Sequence, residues 1–129
     1  MAQDIEEYKS IKKHNFKKGI WGETQTCNYL EQIGYKILER NYRCYFGEID
    51  IIALDQEIIA FVEVKLRTNK KYGIGIESIS QHKKNNIKQV ANYFLHTNWL
   101  FKNNIIRFDV VDILNYKGIY YGKVIKNAF

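Results

Sequence analysis

Apolar residues recur at helical spacing in two parts of the chain, and each part predicts a helix. The first helix is expected from about residue 18 to residue 33, where Gly34 is placed to end it. The second is expected from about 80 to 96, where Ser78 or Ser80 can cap its start. The apolar stripes consist of Ile20, Cys27, Leu30 and Ile33 in the first helix and of Ile87, Val90, Ala91, Phe94 and Leu95 in the second.

Five other segments show the alternation or the short apolar runs of β-strands. Their sequences, in chain order, are YKILERNYR, GEIDIIALD, IIAFVEVKLR, NIIRFDVVDIL and IYYGKVIKNAF. The order helix, three strands, helix, two strands predicts an α/β fold with a mixed sheet of about five strands flanked by helices. Residues 1–16 lack clear periodicity, so we expect a basic N-terminal segment that frays or forms a short helix, followed by one domain from 17 to 129.

The stretch GEIDIIALDQEIIAFVEVKLR, from Gly47 to Arg67, carries charges in its most apolar part. Alternate side chains of a strand share a face, so Glu63 and Lys65 lie together. Asp50 joins their face only if the hairpin pairs residues whose numbers have an odd sum. If the loop has four residues, 55–58, Asp50 should lie directly opposite Glu63. A two-residue loop should make the two acids diagonal neighbours, and a three-residue loop should separate them.

Two interpretations of these charges are open. In the first, the hairpin is amphipathic, its charged face is in water, and Glu63 forms a modest ion pair with Lys65. In the second, both faces are covered, because apolar residues such as Ile52 and Phe61 share the charged face. Two carboxylates buried together would then cost several kcal/mol unless a cation lies between them. Oxygen ligands without His or Cys favour Mg²⁺ or Mn²⁺ over zinc.

Each helix has one charged residue on its apolar stripe. Glu23 of the first helix either reaches solvent at the edge of the stripe or faces the sheet. If it faces the sheet, Glu23 completes an acidic cluster with Asp50 and Glu63. Lys83 of the second helix could face the same site.

Composition suggests the kind of partner. The 129 residues carry a net charge of +6 at pH 7, which favours an anionic partner such as nucleic acid. The planar fork of Arg can grip phosphate with two bonds, so Arg43 and Arg67 are candidates, although surface ion pairing explains them equally well. Tyr42, Tyr45 and Phe46 are candidates for stacking on bases, although aromatic residues more often fill a core.

The location of the protein is also suggested by composition. No apolar run approaches the ~20 residues of a membrane span, and the charged start lacks the apolar centre of a secretory signal. Cys27 and Cys44 have no CxxC spacing, so neither a zinc site nor a disulfide framework is indicated. We therefore expect a cytoplasmic protein with no membrane partner.

Several separated segments together resemble the YraN-like family of small bacterial proteins. They are GIWGETQTCNYLEQIGYKILERNYRCYFGEID, FVEVKLRT, ESISQHKKNNI, RFDVV and KVIKNAF. They occur in the order of that family and extend over nearly the whole chain from about Lys18. The family is similar to archaeal Holliday junction resolvases and to the restriction-endonuclease-like fold of the PD-(D/E)xK type. The resemblance implies that fold here, although Ile49 stands where the broader pattern often has proline.

The resemblance also implies metal-dependent hydrolysis of a phosphodiester. The residues implied as catalytic are Glu23, Asp50, Glu63 and Lys65, and the candidates for contacting flanking phosphates are Arg43, Arg67 and Lys83. Asp50 and Glu63 would bind Mg²⁺, for which Mn²⁺ would substitute, and Glu23 would hold a metal-bound water or a second ion. Lys65 would orient the attacking water or stabilise charge in the transition state.

Three hypotheses about function follow. The first is a structure-selective DNA endonuclease, for which a homodimer is one expectation because a symmetric junction needs two active sites. The second is a nucleic-acid-binding protein of the same fold that does not cleave. The third is a basic interaction domain with a protein partner, in which the acids are simply ion-paired.

Overall fold

The computed structural model describes residues 9–11, 18–67, 79–116 and 119–129, which form two helices, a short 3₁₀ turn and six strands. In chain order the elements are β1 (Lys9–Ile11), α1 (Lys18–Gln32), β2 (Tyr35–Cys44), β3 (Gly47–Asp55), β4 (Ile58–Arg67), α2 (Gln81–Thr97), the 3₁₀ turn (Trp99–Phe101), β5 (Ile106–Tyr116) and β6 (Ile119–Ile125). The predicted order of helices and strands is confirmed, with β1 added before it. Within these ranges, neither helix combines the length and apolarity that crossing a membrane requires.

All six strands belong to one sheet, in the order β1-β6-β5-β4-β3-β2. β4 and β5 are parallel, whereas every other neighbouring pair is antiparallel. A parallel pair needs a crossover connection, and here the chain crosses over through α2. The predicted mixed α/β architecture is therefore confirmed, with one strand more than expected.

The additional strand corrects the prediction for the N-terminal segment, for which we expect fraying or a short helix. Lys9–Ile11 pairs antiparallel with residues 120–122 of β6 at the edge of the sheet. Three residues are too few to show a period of two, so the sequence pattern cannot reveal a strand that depends on the free edge of β6. Residues 1–8 and 12–17 lie outside the described residues.

Each face of the sheet is covered by one helix, and we name the faces after these helices. Buried residues of the α1 face include Cys27, Leu30, Ile51, Ala53, Ala60 and Val62, and those of the α2 face include Ile52, Ile59, Phe61, Ile87, Val90 and Phe94. β3 and β4 contribute to both clusters. They are therefore central strands covered on both sides, and the interpretation of an amphipathic hairpin in water is wrong.

Both helices begin or end on the residues that the sequence indicates. Gly34 follows α1 with a φ of 101°, and its N–H donates to the Glu31 carbonyl at 3.1 Å, which closes the last turn. Ser80 caps α2, because its Oγ accepts from the Lys83 N–H at 3.1 Å. Ile33, expected on the apolar stripe, lies just after α1 and is exposed.

The β3–β4 hairpin has the register that sets Asp50 opposite Glu63, and it reaches this register through a two-residue loop rather than the four-residue loop with which the register is associated above. Asp55 pairs with Ile58 across the two-residue loop 56–57. This pair and the two acids have the same odd sum of residue numbers. The expectation that a two-residue loop makes the acids diagonal neighbours is wrong. The two-residue loop 56–57 lies within the four-residue segment 55–58, so it only adds the pair Asp55–Ile58 to the ladder and leaves the register unchanged.

Candidate functional site

Asp50 and Glu63 lie side by side where β3 and β4 separate. The backbone pairing of the two strands ends at Ile51 and Val62, one position before the acids. Beyond that point the Val64 N–H donates to Asp50 Oδ2 at 2.9 Å. The Asp50 side chain thus takes the place of a ladder acceptor, and its carboxyl is within hydrogen-bonding contact of Glu63.

The two acids line an open cavity of about 320 Å³ between the sheet and the start of α2. Glu63 is only 4% exposed. The facing wall belongs to α2, which contributes His82, Lys83 and Asn86. His82 and Asn86 are absent from the residues that the sequence singled out, although Asn86 lies three residues after Lys83 and four after His82, spacings that could have identified them. The cavity combines acidic groups from the sheet with basic and polar groups from the helix.

The pKa of Asp50 is raised to about 7 by burial first, and then by the hydrogen bond and the negative charge of Glu63. The Val64 N–H and the Lys83 ammonium oppose this rise, since both favour the ionised carboxylate. Without a bound cation, the Asp50 carboxyl is therefore about half protonated at pH 7. A carboxyl whose pKa is raised to this range inside a cavity is typical of functional sites.

Lys83 provides the counter-charge to the acids, because its Nζ is in ion-pair contact with Glu63 Oε2. Burial lowers the pKa of Lys83, but its contact with Glu63 and the charges of both acids outweigh burial and raise that pKa. Glu63 Oε2 is buried and has no partner with hydrogen-bond geometry among the described residues. The partner of this buried carboxylate oxygen in the described ranges is thus the Lys83 ammonium.

The residues present fit a hard divalent cation such as Mg²⁺. In the described part of the chain, no cluster of three or more acidic, His or Cys side chains could hold a metal. Two carboxylates are nevertheless sufficient for Mg²⁺, which keeps several waters and takes further oxygen ligands from substrate phosphates. Asp50 and Glu63 supply those two carboxylates, and Glu63 Oε2 is a buried oxygen at which a metal ion would replace the Lys83 ammonium.

Glu23 does not join the two acids, contrary to the expectation of a three-carboxylate cluster. Its helix packs on the α1 face, whereas Asp50 and Glu63 line the cavity beside α2. Glu23 instead acts on Cys27: burial is the main cause of the raised pKa of that thiol, and the charge of Glu23 adds to it. The helical stripe is compatible with Glu23 pointing towards the sheet, but it carries no information about which face of the sheet the helix covers.

The other predicted site residues lie in different surroundings. Lys65 is on the α2 face of β4, like the acids, is partly buried and forms no ion pair within the described ranges. Arg67 is held by Asp112 through two bonds, with Nε–Oδ1 at 2.9 Å and Nη2–Oδ2 at 2.6 Å. Arg43 is largely exposed and pairs with Glu48 at 2.9 Å. Of the three, Lys65 is the one that shares the strand face of Glu63 and has no carboxylate partner in the part of the chain that the structure describes.

Two fully buried acids of β5, Asp109 and Asp112, are absent from the residues that the sequence singled out. Asp112 holds Arg67, and Asp109 holds Arg107 at the other end of the sheet. Both acids interrupt the apolar run RFDVVDIL in the way that Asp50 interrupts its own strand. The same signal could have found them, although it would not have separated structural acids from functional ones.

The fold and the acids define a class of protein: an α/β protein with a mixed sheet that opens at one point around a pair of carboxylates and a neighbouring lysine. The chain belongs to the uncharacterised protein family UPF0102, whose family model matches residues 22–113. The resemblance to the YraN-like family is thereby confirmed.

Several relatives are similar over most of their length. A UPF0102 protein of Clostridium kluyveri is 47% identical over 120 residues, which cover 90% of this chain and 98% of the relative. One of Clostridium perfringens strain 13 is 46% identical over 103 residues, covering 80% and 84%. One of Lachnoclostridium phytofermentans is 45% identical over 112 residues, covering 87% and 92%. Their names state no activity.

Proposed function

We propose that this protein is a metal-dependent nuclease that hydrolyses phosphodiester bonds, with DNA as its substrate. The observation that carries the proposal is the contact between Asp50 and Glu63 in an open cavity. Two acids placed together and largely buried destabilise the fold unless a cation is bound, so their arrangement is best explained by a function. The net charge of +6 supports a polyanionic substrate.

In this proposal Asp50 and Glu63 hold Mg²⁺, which when bound supplies Lewis-acid stabilisation of negative charge on the phosphoryl group. Lys65 orients the attacking water and stabilises the charge that develops on the phosphoryl oxygens. Lys83 balances the charge of Glu63 in the free protein and turns to a substrate phosphate when Glu63 has a new cationic partner. Arg43 contacts a flanking phosphate from the rim.

The finer features of the proposal come from the resemblance. A restriction-endonuclease-like arrangement assigns Asp50 to the GEID strand and assigns Glu63 and Lys65 to the EVK strand. Similarity to the Holliday junction resolvases favours branched DNA as the substrate, and a homodimer would place two sites on a two-fold symmetric junction. Arg67 acts in this scheme by positioning β4 against β5, because its guanidinium is already bound to Asp112.

The test is a cleavage assay with Mg²⁺ on four-way junction, flap, single-stranded and duplex DNA. We expect metal-dependent cleavage of at least one substrate, and we expect Lys65→Ala to lower the rate by roughly 100-fold, in the range that loss of one transition-state donor costs. Lys102→Ala, which removes an exposed lysine after the 3₁₀ turn, is the matched control. An undiminished rate in Lys65→Ala would exclude Lys65 from catalysis, and binding without cleavage of any substrate would favour a non-cleaving nucleic-acid-binding protein.

Lys83→Ala is expected to strengthen Mn²⁺ binding to the free protein, because the Lys83 ammonium competes with the ion for Glu63. About half of the Lys83 side chain is exposed, so solvent screens the competition. We therefore expect the Mn²⁺ affinity to rise by about tenfold or less. Calorimetric titration of the wild type, Lys83→Ala and Lys88→Ala measures this, since Lys88 is on the same helix outside the cavity wall. An affinity in Lys83→Ala equal to or below that of the wild type would show that Lys83 does not compete.

A further inference from the structure

The turn between β2 and β3 carries two adjacent aromatic side chains into solvent. Tyr45 is 95% exposed and Phe46 is 42% exposed, and their rings meet edge to face with centroids 5.5 Å apart. Tyr42, the third aromatic residue of this segment, packs instead against Phe94 in the core, with centroids 5.2 Å apart. The structure thus separates one aromatic residue that fills the core from two that are exposed to solvent.

The exposed aromatic pair lies at the rim of the carboxylate cavity. Phe46 precedes Gly47, which pairs with Cys44 to close the turn and also lines the cavity. Gly47 has a φ of +137°, which L side chains rarely adopt, so a glycine is needed at this corner. Tyr45 is two residues from Gly47, and its backbone is therefore within about 7 Å of the cavity wall. That distance is about two nucleotide steps along a stacked strand, at roughly 3.4 Å per step.

Cations accompany the aromatic pair on both sides of the cavity. Arg43, two residues before Tyr45, has a side chain that is 75% exposed, and its partner Glu48 is itself 55% exposed. Lys83 is 49% exposed on the facing helix. A base-stacking surface between groups that bind phosphates is the combination by which proteins hold unpaired nucleic acid.

We infer that Tyr45 and Phe46 form a stacking platform for an unpaired base beside the bond that is cleaved. The inference rests on the proposed nuclease function and narrows its substrate class. The substrate is nucleic acid with an unpaired nucleotide within about two positions of the scissile phosphate, such as a single strand, a flap or an opened junction. Bases within a continuous duplex are stacked on both sides and do not present a free face to Tyr45.

Fluorescence anisotropy of labelled DNA tests the platform without any cleavage step, because the protein used carries Asp50→Asn. Adding Tyr45→Ala should weaken the binding of a single-stranded oligonucleotide by roughly 10-fold to 100-fold, the range for loss of one base–aromatic stack. Binding of the matching blunt duplex should change by less than about twofold, since no base is unstacked. Tyr45→Trp should retain single-strand binding, whereas Tyr45→Leu, which is apolar without a π-face, should not. Tyr93→Ala, at a partly exposed aromatic residue of α2 outside the cavity, is the control and should have no effect.

The outcomes distinguish the platform from the nuclease activity. Equal single-strand affinity with and without Tyr45→Ala, or equal affinities of Tyr45→Leu and Tyr45→Trp, would overturn the platform even if the wild type cleaves DNA. Tyr45-dependent binding by a protein that cleaves no substrate with any divalent metal would overturn the nuclease proposal and leave the platform standing.

Discussion

Asp50→Asn is expected to make the metal-free protein more stable at pH 8 than the wild type. The pKa of Asp50 is about 7 in the folded protein, against its ordinary value of 3.8. Between about pH 4 and pH 7 the folded protein therefore keeps a proton that the unfolded chain has released, and its stability falls as the pH rises. The stabilising effect of this proton is fully present below about pH 4 and is lost above about pH 7, where both states are ionised.

The expected size of the effect follows from the shift. At about 1.36 kcal/mol for each pKa unit, ionising Asp50 in the folded protein costs at most about 4 kcal/mol. We therefore expect Asp50→Asn to raise the free energy of unfolding by about 2–4 kcal/mol at pH 8. At pH 4 the two proteins should differ little, because the introduced amide keeps an oxygen that accepts from the Val64 N–H. Urea unfolding at both pH values, in the absence of metal, measures the difference.

The same substitution should abolish function. We expect Mg²⁺-dependent cleavage to fall by more than about 10³-fold, beyond the loss of a single transition-state donor, because the metal loses one of its two protein ligands. Saturating Mn²⁺ should stabilise the wild type by mass action, by about 2.7 kcal/mol at 100 times Kd, and leave Asp50→Asn unchanged. A gain of stability with a loss of activity is typical of residues kept for function.

Asp112→Asn is the matched control for Asp50→Asn. It neutralises a fully buried acid of β5 that, unlike Asp50, has an arginine partner. Asp112 accepts two bonds from Arg67, so its neutralisation should destabilise the protein at pH 8. If Asp50→Asn were also destabilising at pH 8, the pKa of Asp50 would not be raised in the folded protein.

Arg107→Ala is expected to be the most destabilising single substitution in the charged network of the α1 face. The Arg107 guanidinium donates to Asp109 at 2.8 and 2.9 Å, to Asp55 at 2.7 Å and to the Tyr35 hydroxyl at 2.9 Å. It thereby connects β2, β3 and β5 at the end of the sheet away from the cavity. Asp109 is fully buried, so removing Arg107 leaves an uncompensated charge, which costs about 3–5 kcal/mol.

Two variants and one measurement make this prediction specific. Arg107→Lys keeps the charge but not the planar fork, and should recover part of the loss. Arg43→Ala removes an exposed ion pair of the same residue type and should change stability by less than about 1 kcal/mol. The midpoints of urea unfolding at pH 7 measure the stability of all three variants. A loss of stability below about 1 kcal/mol in Arg107→Ala would mean that the two remaining donors, the Tyr35 hydroxyl and the Asn127 N–H, satisfy Asp109.

The carboxylate pair shows how far sequence reasoning reaches. Strand alternation and an odd-sum register correctly place Asp50 beside Glu63, because a strand has a period of two and a short hairpin loop permits few registers. Helical spacing likewise places Lys83 towards the sheet. The sequence leaves a two-residue or a four-residue loop open, and both are compatible with this register, because the shorter loop only adds one pair to the same ladder.

Glu23 and Arg67 show where that reasoning stops. Spacing cannot reveal that α1 covers the face away from the cavity, since the same stripe would bury equally well on either side of the sheet. Nor can it reveal that Asp112, far along the chain from Arg67, occupies the guanidinium. Both outcomes depend on contacts between residues that are distant in sequence.

By itself the sequence determined the helices, the principal strands and most of the residues that share each strand face, because backbone geometry imposes periods of about 3.6 and 2 residues. Only the tertiary structure decided which helix meets the acids, where β3 and β4 separate, and which aromatic residues of the β2–β3 segment are exposed. The physical reason is that these features arise from packing one element against another, and a local period contains no information about the partner.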